Sequence, residues 1–348
     1  MQDNSKKTDS GAVTASPEYP FLGFKHGEGK ESVILPLVLN MECTATKGEM
    51  NENVGLTPDR GYTSFIEALD TASGSVSLCG AGPSLLANLD KLKGDVFAVN
   101  SAIGILLSRG IVPRFAMIWD CAEICTQFAI PHPEVTYLVA SRCHPNVFER
   151  LKDCRVIVWH ADGDMNIREL LESKNVMEPL VKGGTTGVTR GIYVAYALGY
   201  RDFHIFGADS CYVNGESHAA GSLVHEHHLQ IMVNKRWFDS TAQWAAQIEE
   251  LKVIYPMFKH TALRAEMTAY DDGMFAWVLS ILKADEEKAL RNALAIVEMA
   301  EKQKGVAAPG VPGKLDEGTI RAIAQAHPEL AAPIMKTLQP LEAGVANV

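Results

Sequence analysis

Residues 75–85 read Ser-Val-Ser-Leu-Cys-Gly-Ala-Gly-Pro-Ser-Leu, an apolar run that ends in a glycine-containing turn. Short apolar runs of the same kind recur at 95–99, 115–119, 135–140, 155–159 and 203–206. Runs that are apolar throughout are typical of strands buried on both faces, and helix-compatible stretches separate them. This alternation predicts right-handed βαβ units. The expected fold is a Rossmann-like three-layer sandwich with a mostly parallel sheet, followed by C-terminal helical segments.

The turn at 80–84 comes where the first strand ends and a helix is predicted to begin. Backbone N–H groups and the positive end of a helix would converge there, which favours a phosphate group. Gly80 and Gly82 would allow close approach of a ligand to the backbone, and Ser84 supplies a hydroxyl. A tight turn without any ligand is the alternative, and a single G-x-G motif does not decide between the two.

Two residues argue against the common dinucleotide site. Leu85 stands where the third glycine of G-x-G-x-x-G would be, and Asn100, not an acid, ends the second predicted strand. The sequence also contains no G-x-x-x-x-G-K-[ST] motif. Neither a nicotinamide-dependent oxidoreductase nor a Walker-type nucleotide site is therefore expected.

Polar residues follow the predicted strands at their carboxyl ends, where open α/β sheets bind ligands. Asn100 and Ser101 would either contact a cofactor or cap the next helix, and the sequence does not favour one role over the other. Asp120 and Asp209 are candidate catalytic residues and candidate ligands of Mg²⁺, and helix capping is the alternative for Asp120. His218 titrates near neutral pH and is a candidate acid or base.

A second glycine-containing turn lies in the stretch 182–190, which reads KGGTTGVTR. It predicts another helix N-terminus with free N–H groups and hydroxyls, and a cationic residue stands at each end. Gly184, Thr185 and Thr186 are the candidate cofactor-binding residues, and a well-capped loop without ligand is the alternative. Two such turns make a diphosphate or a nucleotide a more credible ligand than either turn alone.

The composition limits the partners. The 348 residues carry a formal net charge of -10, which disfavours binding to nucleic acids and to anionic membranes. Seven irregularly spaced cysteines favour reduced thiols and a cytoplasmic location, and Cys121-x3-Cys125 without a second pair does not predict zinc. No apolar run of about 18 residues occurs, and the first residues are polar, so neither a membrane span nor a signal peptide is expected.

Changes in composition divide the chain. We predict a flexible lead at 1–30, lead-in elements at 31–73, a Rossmann-like domain at 74–260, a helical extension at 261–305, a linker at 306–314 and a helical tail at 315–348. The linker is rich in proline and glycine. The tail would dock on this chain or on a protein partner.

Several of these motifs occur together in one known family. Gly-Ala-Gly-Pro-Ser-Leu at 80–85, Asn-Ser-Ala at 100–102, Gly-Ile-Val-Pro at 110–113 and Asp120 resemble the MptE-like family in order and spacing. The stretch 197–218, with Gly-Ala-Asp at 207–209, resembles the family's second half. The family includes archaeal 6-hydroxymethylpterin diphosphokinases and bacterial motility accessory factors.

The resemblance implies a Rossmann-like domain related to sialyltransferase-type glycosyltransferases. The pterin enzymes transfer diphosphate from ATP with Mg²⁺, whereas the motility factors are associated with nonulosonic acid glycosylation of flagellin. Arg114 stands where many relatives would have an acid, and this departure concerns the pterin substrate more than the fold.

Three hypotheses about function follow. The first is a nucleotide-dependent transferase, with diphosphate transfer from ATP and with Mg²⁺ held by Asp120 and Asp209. The second is a sialyltransferase-like glycosyltransferase that uses a nucleotide-sugar, with His218 as acid or base. The third is a non-catalytic binding or assembly protein that retains the fold.

Overall fold

The computed structural model describes residues 23–25, 32–34, 45–57, 60–162, 167–219, 229–260 and 264–303. The predicted linker at 306–314, the predicted tail at 315–348 and the histidines of 225–228 lie outside these residues. Of the predicted lead at 1–30, only residues 23–25 are described. The predicted domain limits stay predictions.

The strands are described in chain order. They are β1 (Gly23–Lys25), β2 (Ser32–Ile34), β3 (Thr63–Ser64), β4 (Ser75–Cys79), β5 (Asp95–Val99), β6 (Phe115–Ile118), β7 (Thr136–Ala140), β8 (Arg155–Ala161), β9 (Leu180–Val181), β10 (Asp202–Phe206), β11 (Leu229–Val233), β12 (Arg236–Ser240) and β13 (Glu266–Ala269). The runs at 75–79 and 95–99 form strands with the predicted bounds, because their residues are apolar enough to be covered on both faces.

The helices connect most of these strands. They are α1 (Lys47–Leu56), α2 (Ala102–Ser108), α3 (Pro145–Arg150), α4 (Ile167–Ser173), α5 (Gly187–Leu198), α6 (Ala242–His260) and α7 (Met274–Gln303). Short 3-10 helices occupy Phe65–Ala68, Pro83–Lys91 and Glu123–Phe128. Within the predicted lead-in elements, Thr63–Ser64 pair with β8 and a 3-10 turn follows at Phe65–Ala68.

Nine strands form one sheet in the order β13-β10-β4-β5-β6-β7-β8-β3, with β9 paired to β8. The chain steps from β4 to β8 in one direction and then returns to place β10 on the other side of β4. All of these described pairings are parallel. The mostly parallel α/β fold predicted from the sequence is confirmed.

The reversal at β4 determines the layers. Right-handed crossovers place the connections between β4 and β8 on one face of the sheet, and those that contain α5 and α6 on the other. Helix α5 packs closely on the sheet, because a Cβ atom added at Gly191 would lie 3.1 Å from side-chain carbons of Leu78 and Val99. Phe258 of α6 then stacks on Tyr196 of α5, with ring centroids 4.4 Å apart. The two faces of the sheet are thus covered, as a three-layer sandwich requires.

A second, antiparallel sheet has the order β12-β11-β1-β2. Its hairpin turns at Asn234 and Lys235, which both have positive φ, at 45° and 67°. The sequence analysis did not predict this sheet, and it read the lead that contains β1 as flexible. Among the described residues, no helix is both long and apolar enough to span a membrane.

Candidate functional site

The carboxyl ends of β4 and β10 meet where the strand order reverses, which is the usual ligand position in this class of sheet. The N–H of Gly80 donates to the carbonyl of Phe206 at 2.8 Å, and the N–H of Gly82 donates to the carbonyl of Gly207 at 2.9 Å. A Cβ atom at Gly80 would lie 2.5 Å from the Gly207 oxygen. These glycines therefore allow two turns of the chain itself to approach each other.

Asp209 completes the contact between the two turns. Its Oδ2 accepts the backbone N–H of Ser84 at 3.2 Å and the Ser84 hydroxyl at 3.0 Å. A Cβ atom at Gly82 would lie 2.2 Å from the same oxygen. The donors of Ser84 in the turn at 80–84 thus contact a carboxylate of the chain, and the predicted phosphate ligand stays a prediction.

A second carboxylate lies near Asp209, just beyond the end of β13. Within the described part of the chain, Oδ1 of Asp209 and Oδ2 of Asp271 are buried and have no hydrogen-bond partner. Burial raises the pKa of Asp271 to about 7, and the charge of Asp209 contributes to this rise. Burial also raises the pKa of Asp209, against the effect of the Ser84 hydrogen bonds. The sequence analysis missed Asp271, although it follows a strand in the same way as Asp209.

His218 lies close to the first turn. The N–H of the next residue, Ala219, donates to the carbonyl of Ala81 at 2.9 Å, and the Nδ1 atom of His218 lies 3.1 Å from the Ser217 hydroxyl. The structure therefore brings His218 to the side of the site that contains Asp209. Cys211 is buried, and burial raises the pKa of its thiol to about 12, which disfavours a thiolate nucleophile.

The second glycine turn also holds a carboxylate of the chain. The N–H groups of Gly184 and Thr185 and the Thr185 hydroxyl all donate to Glu250 of α6. Thr186 is the N-cap of α5, and its hydroxyl accepts the N–H of Thr189 in a capping box. Thr186 thus has the structural role that the sequence offered as the alternative.

Asn100 follows β5 and has a left-handed backbone, with φ of 48°. Its Oδ1 accepts the N–H of Trp119 at 3.3 Å, which links the ends of β5 and β6. Ser101 precedes α2 but makes no side-chain capping hydrogen bond. Asn100 therefore shapes the edge of the sheet beside the indole of Trp119.

Two guanidinium groups lie close to the indole ring of Trp119. The Cζ atom of Arg142, which follows β7, lies 5.1 Å from the Trp119 ring centroid, and that of Arg190 lies 5.2 Å from it. Arg190 is 6% exposed and donates to the carbonyl of Val181, while its Nε has no partner among the described residues. Burial lowers the pKa of Arg190 to about 10. A buried cation of this kind is stabilised by an anionic ligand.

Trp119 and Arg142 are not among the site residues predicted from the sequence, and Arg190 enters that prediction only as a flanking charge. Arg142 comes two residues after β7 and Trp119 directly follows β6, so the rule that ligands bind at carboxyl ends would have found both. Their separation along the chain hid the cluster, because no short motif contains all three.

Asp120 lies next to Trp119, and its Oδ1 accepts the N–H of Ala122 at 3.2 Å. Asp209 follows β10, which is three strands away from β6 in the sheet. Neighbouring strands lie about 4.8 Å apart, so the two strand ends are separated by about 14 Å. The two carboxylates predicted to share one Mg²⁺ ion do not come together, and the described residues contain no group of three or more metal-binding side chains.

A cavity of about 450 Å³ is lined in part by residues 121–123, which directly follow Asp120. Helix α1 forms one wall with Glu49 and Glu52, and the segments after β6 and β7 supply Cys121, Glu123 and His144. Asn53 of α1 is attached to this edge, because its Nδ2 donates to the carbonyl of Arg142 at 3.2 Å. A space large enough for a small molecule therefore adjoins the Trp119 cluster.

Comparison with known proteins finds a family model that is similar to the central segment. Residues 58–215 match the MptE-like family, described as 6-hydroxymethylpterin diphosphokinase MptE-like. The predicted resemblance is confirmed over this segment. The MptE-like segment includes both glycine turns and the Trp119 cluster, whereas Glu250 and Asp271 lie beyond it.

No curated protein matches the chain. Among solved structures, the chain is similar to the MAf glycosyltransferase from Magnetospirillum magneticum AMB-1, with 17% sequence identity and a TM-score of 0.46. The similarity covers 67% of this chain and 38% of the glycosyltransferase. The chain thus corresponds to well under half of that protein.

Proposed function

We propose that this protein is a nucleotide-dependent transferase of the MptE-like type, and that Arg142 and Arg190 bind the phosphate groups of its substrate. The observation that carries the proposal is the position of both guanidinium groups near the Trp119 ring, at the carboxyl edge of the sheet. Guanidinium groups bind phosphate through paired, charge-assisted hydrogen bonds, and a partly dry site strengthens them. The buried Nε of Arg190 would gain a partner when the ligand binds.

The main requirement of a phosphate-linked transfer is to neutralise the charge that develops on the phosphate groups. Arg142 and Arg190 would supply this charge, and Asn100 would offer its side-chain amide at the same edge. Asp120 is the predicted metal ligand that directly follows Trp119 in the sequence, and Mg²⁺ often binds to one or two carboxylates together with substrate phosphates. A bound Mg²⁺ ion would add positive charge between the phosphate oxygens.

The description of the matching family names a diphosphokinase, which supports diphosphate transfer as the reaction, and we propose ATP as the donor. Sugar transfer from a nucleotide-sugar is the second candidate, because Asp120 and Asp209 lie too far apart to share a metal ion and such a transfer does not need one. Asp209 and His218 lie together near the first turn and stay candidates for an acid or base in either reaction. We also propose that the protein is located in the cytoplasm.

A third candidate is a non-catalytic binding protein. It is favoured by the observation that Asp209 and Glu250 already occupy the donors of the two glycine turns. Such a protein would perform its cellular role when Asp120 is replaced by Asn, whereas a transferase with this metal ligand would not.

Thermal unfolding in the presence of ATP, GTP, CMP-sugars and UDP-sugars, each with and without Mg²⁺, tests the proposal. A ligand at a hundred times its dissociation constant stabilises the folded state by about 2.7 kcal/mol. Diphosphate transfer predicts stabilisation by ATP that increases with Mg²⁺, and sugar transfer predicts stabilisation by a nucleotide-sugar without metal. If no nucleotide changes the unfolding temperature, the proposed function is wrong.

A further inference from the structure

Glu250 occupies a site that is built for an anion. Three donors converge on its carboxylate: the N–H of Gly184, the N–H of Thr185 at 2.7 Å and the Thr185 hydroxyl at 2.9 Å. Gly184 has a positive φ of 88°, a conformation that side chains rarely adopt. The turn therefore presents successive donors in a geometry that suits oxyanions in general.

Other groups around the turn attract negative charge beyond that of Glu250. Helix α5 starts directly afterwards and extends over 12 residues, so its positive end lies at the turn. Arg190 lies on the first turn of this helix, is almost fully buried and keeps an Nε without a partner among the described residues. Burial lowers the pKa of Arg190 and the nearby charge of Glu250 opposes this, so the two side chains interact. Arg142 lies near the same indole as Arg190.

The carboxylate reaches the turn from a separate helix. Glu250 belongs to α6, which is linked to α5 by aromatic packing of Phe258 against Tyr193 and Tyr196. Glu250 is half-buried, so it lies near the surface and can move into solvent without unfolding the core. The hydrogen bonds of the turn can thus pass from Glu250 to another anion while α6 stays packed.

We propose that the turn at Gly184 and Thr185 is a subsite for a phosphate group of the ligand, and that Glu250 occupies this subsite until the phosphate displaces it. The proposal rests on the proposed function, because it extends the Arg142 and Arg190 cluster to a second phosphate. A phosphate group has more oxygens and more charge than a carboxylate, so it would satisfy the same donors and also Arg190. Glu250 is then an internal competitor that lowers the affinity for anions.

Titration calorimetry with pyrophosphate tests this subsite directly. In Glu250→Gln the carboxylate is replaced by an amide, whose NH2 group cannot accept hydrogen bonds from the turn. We expect pyrophosphate to bind this variant about 10-fold or more tightly than it binds the wild type, since hydrogen bonds to charged groups are the strong ones. The matched control is Glu249→Gln, whose carboxylate pairs with Lys252 at 2.7 Å and makes no hydrogen bond to the turn. It should bind pyrophosphate as the wild type does.

Equal affinities of the wild type and Glu250→Gln, or no binding by either, would overturn the proposal. Hydrogen exchange of the wild-type protein gives a second test that needs no variant. Saturating pyrophosphate should slow exchange of the Gly184 and Thr185 amides and leave exchange in α6 unchanged, and unchanged or faster exchange at these two amides would also overturn it. An ATP titration separates the two proposals: if ATP binds both proteins equally, the proposed function stands and the subsite is wrong.

Discussion

The carboxylate of Asp209 accepts two hydrogen bonds from Ser84, one from the backbone N–H at 3.2 Å and one from the hydroxyl at 3.0 Å. The backbone carbonyl of Asp209 also accepts the N–H of Met274, at the start of α7, at 2.8 Å. One residue thus joins the ends of β4 and β10 to the C-terminal helix. The first glycine turn is therefore held by internal hydrogen bonds, and a phosphate group is not needed to explain its sequence.

Gly82→Ala should strongly destabilise the protein. The added Cβ would lie 2.2 Å from Oδ2 of Asp209 and 2.7 Å from the carbonyl oxygen of Gly207, and neither atom can move without breaking the turn. We expect a loss on the order of 3 kcal/mol in the free energy of unfolding, measured by urea denaturation. The matched control is Gly55→Ala in α1, where the added Cβ meets nothing within 4 Å. This control should be neutral or stabilising by about 0.5–1 kcal/mol, because alanine favours helices. Equal stabilities of the two variants would contradict the account of the turn.

Asp271 should make stability depend on pH. Its pKa is raised from an ordinary value of 3.8 to about 7 by burial and by the charge of Asp209. At pH values between 3.8 and about 7, the Asp271 carboxyl keeps its proton in the folded protein but has released it in the unfolded chain. The free energy of unfolding should therefore fall as pH rises, by up to about 1.4 kcal/mol per pH unit.

Urea denaturation of the wild type and of Asp271→Asn at pH 5 and pH 8 measures this effect. The amide that replaces the Asp271 carboxyl cannot ionise, so most of the fall in the free energy of unfolding between pH 5 and pH 8 should disappear. The variant should then be more stable than the wild type at pH 8. The pKa of Asp209 is raised as well, so a smaller decrease of the same sign should persist. An unchanged pH dependence in the variant would show that Asp271 is not the titrating group.

Asp120→Asn should weaken nucleotide binding only when Mg²⁺ is present. Asp120 is adjacent to Trp119 and so lies with the proposed phosphate ligands, about three strands from Asp209. The substitution would replace a charged oxygen ligand of the ion by a weaker neutral one and reduce the metal-dependent part of the affinity by about 10-fold. Calorimetric titration of ATP with Mg²⁺ and with EDTA checks this. An equal loss under both conditions would mean that Asp120 acts without the metal.

The main sheet could be predicted from sequence because its strands are buried on both faces. All five residues of β7 are buried, and such a run has few readings other than a central strand. The hairpin of β11 and β12 alternates between buried and more exposed residues, which is a weaker signal. Its turn at Asn234 and Lys235 lacks the glycine that would have marked it.

The site was less predictable than the sheet, for a physical reason. Each of the two predicted turns donates hydrogen bonds to a carboxylate of the chain, and the phosphate ligand predicted for them stays a prediction. The sequence could not show that these carboxylates belong to Asp209 and Glu250. Glu250 lies 66 residues along the chain from Gly184, whose N–H donates a hydrogen bond to it. The same long-range contacts place Arg142 and Arg190 beside Trp119, and they depend on the strand order.

Binding of ATP to the wild type and to Arg142→Met, measured by titration calorimetry with Mg²⁺, tests the central claim most directly. Methionine keeps the apolar stem and removes the guanidinium, so the variant should fold and bind ATP at least about 10-fold more weakly. Arg109→Met is the control, because Arg109 is exposed at the far end of α2, away from the carboxyl edge. Saturable binding that is weakened only in Arg142→Met is the predicted result. Equal binding by all three proteins would contradict the account.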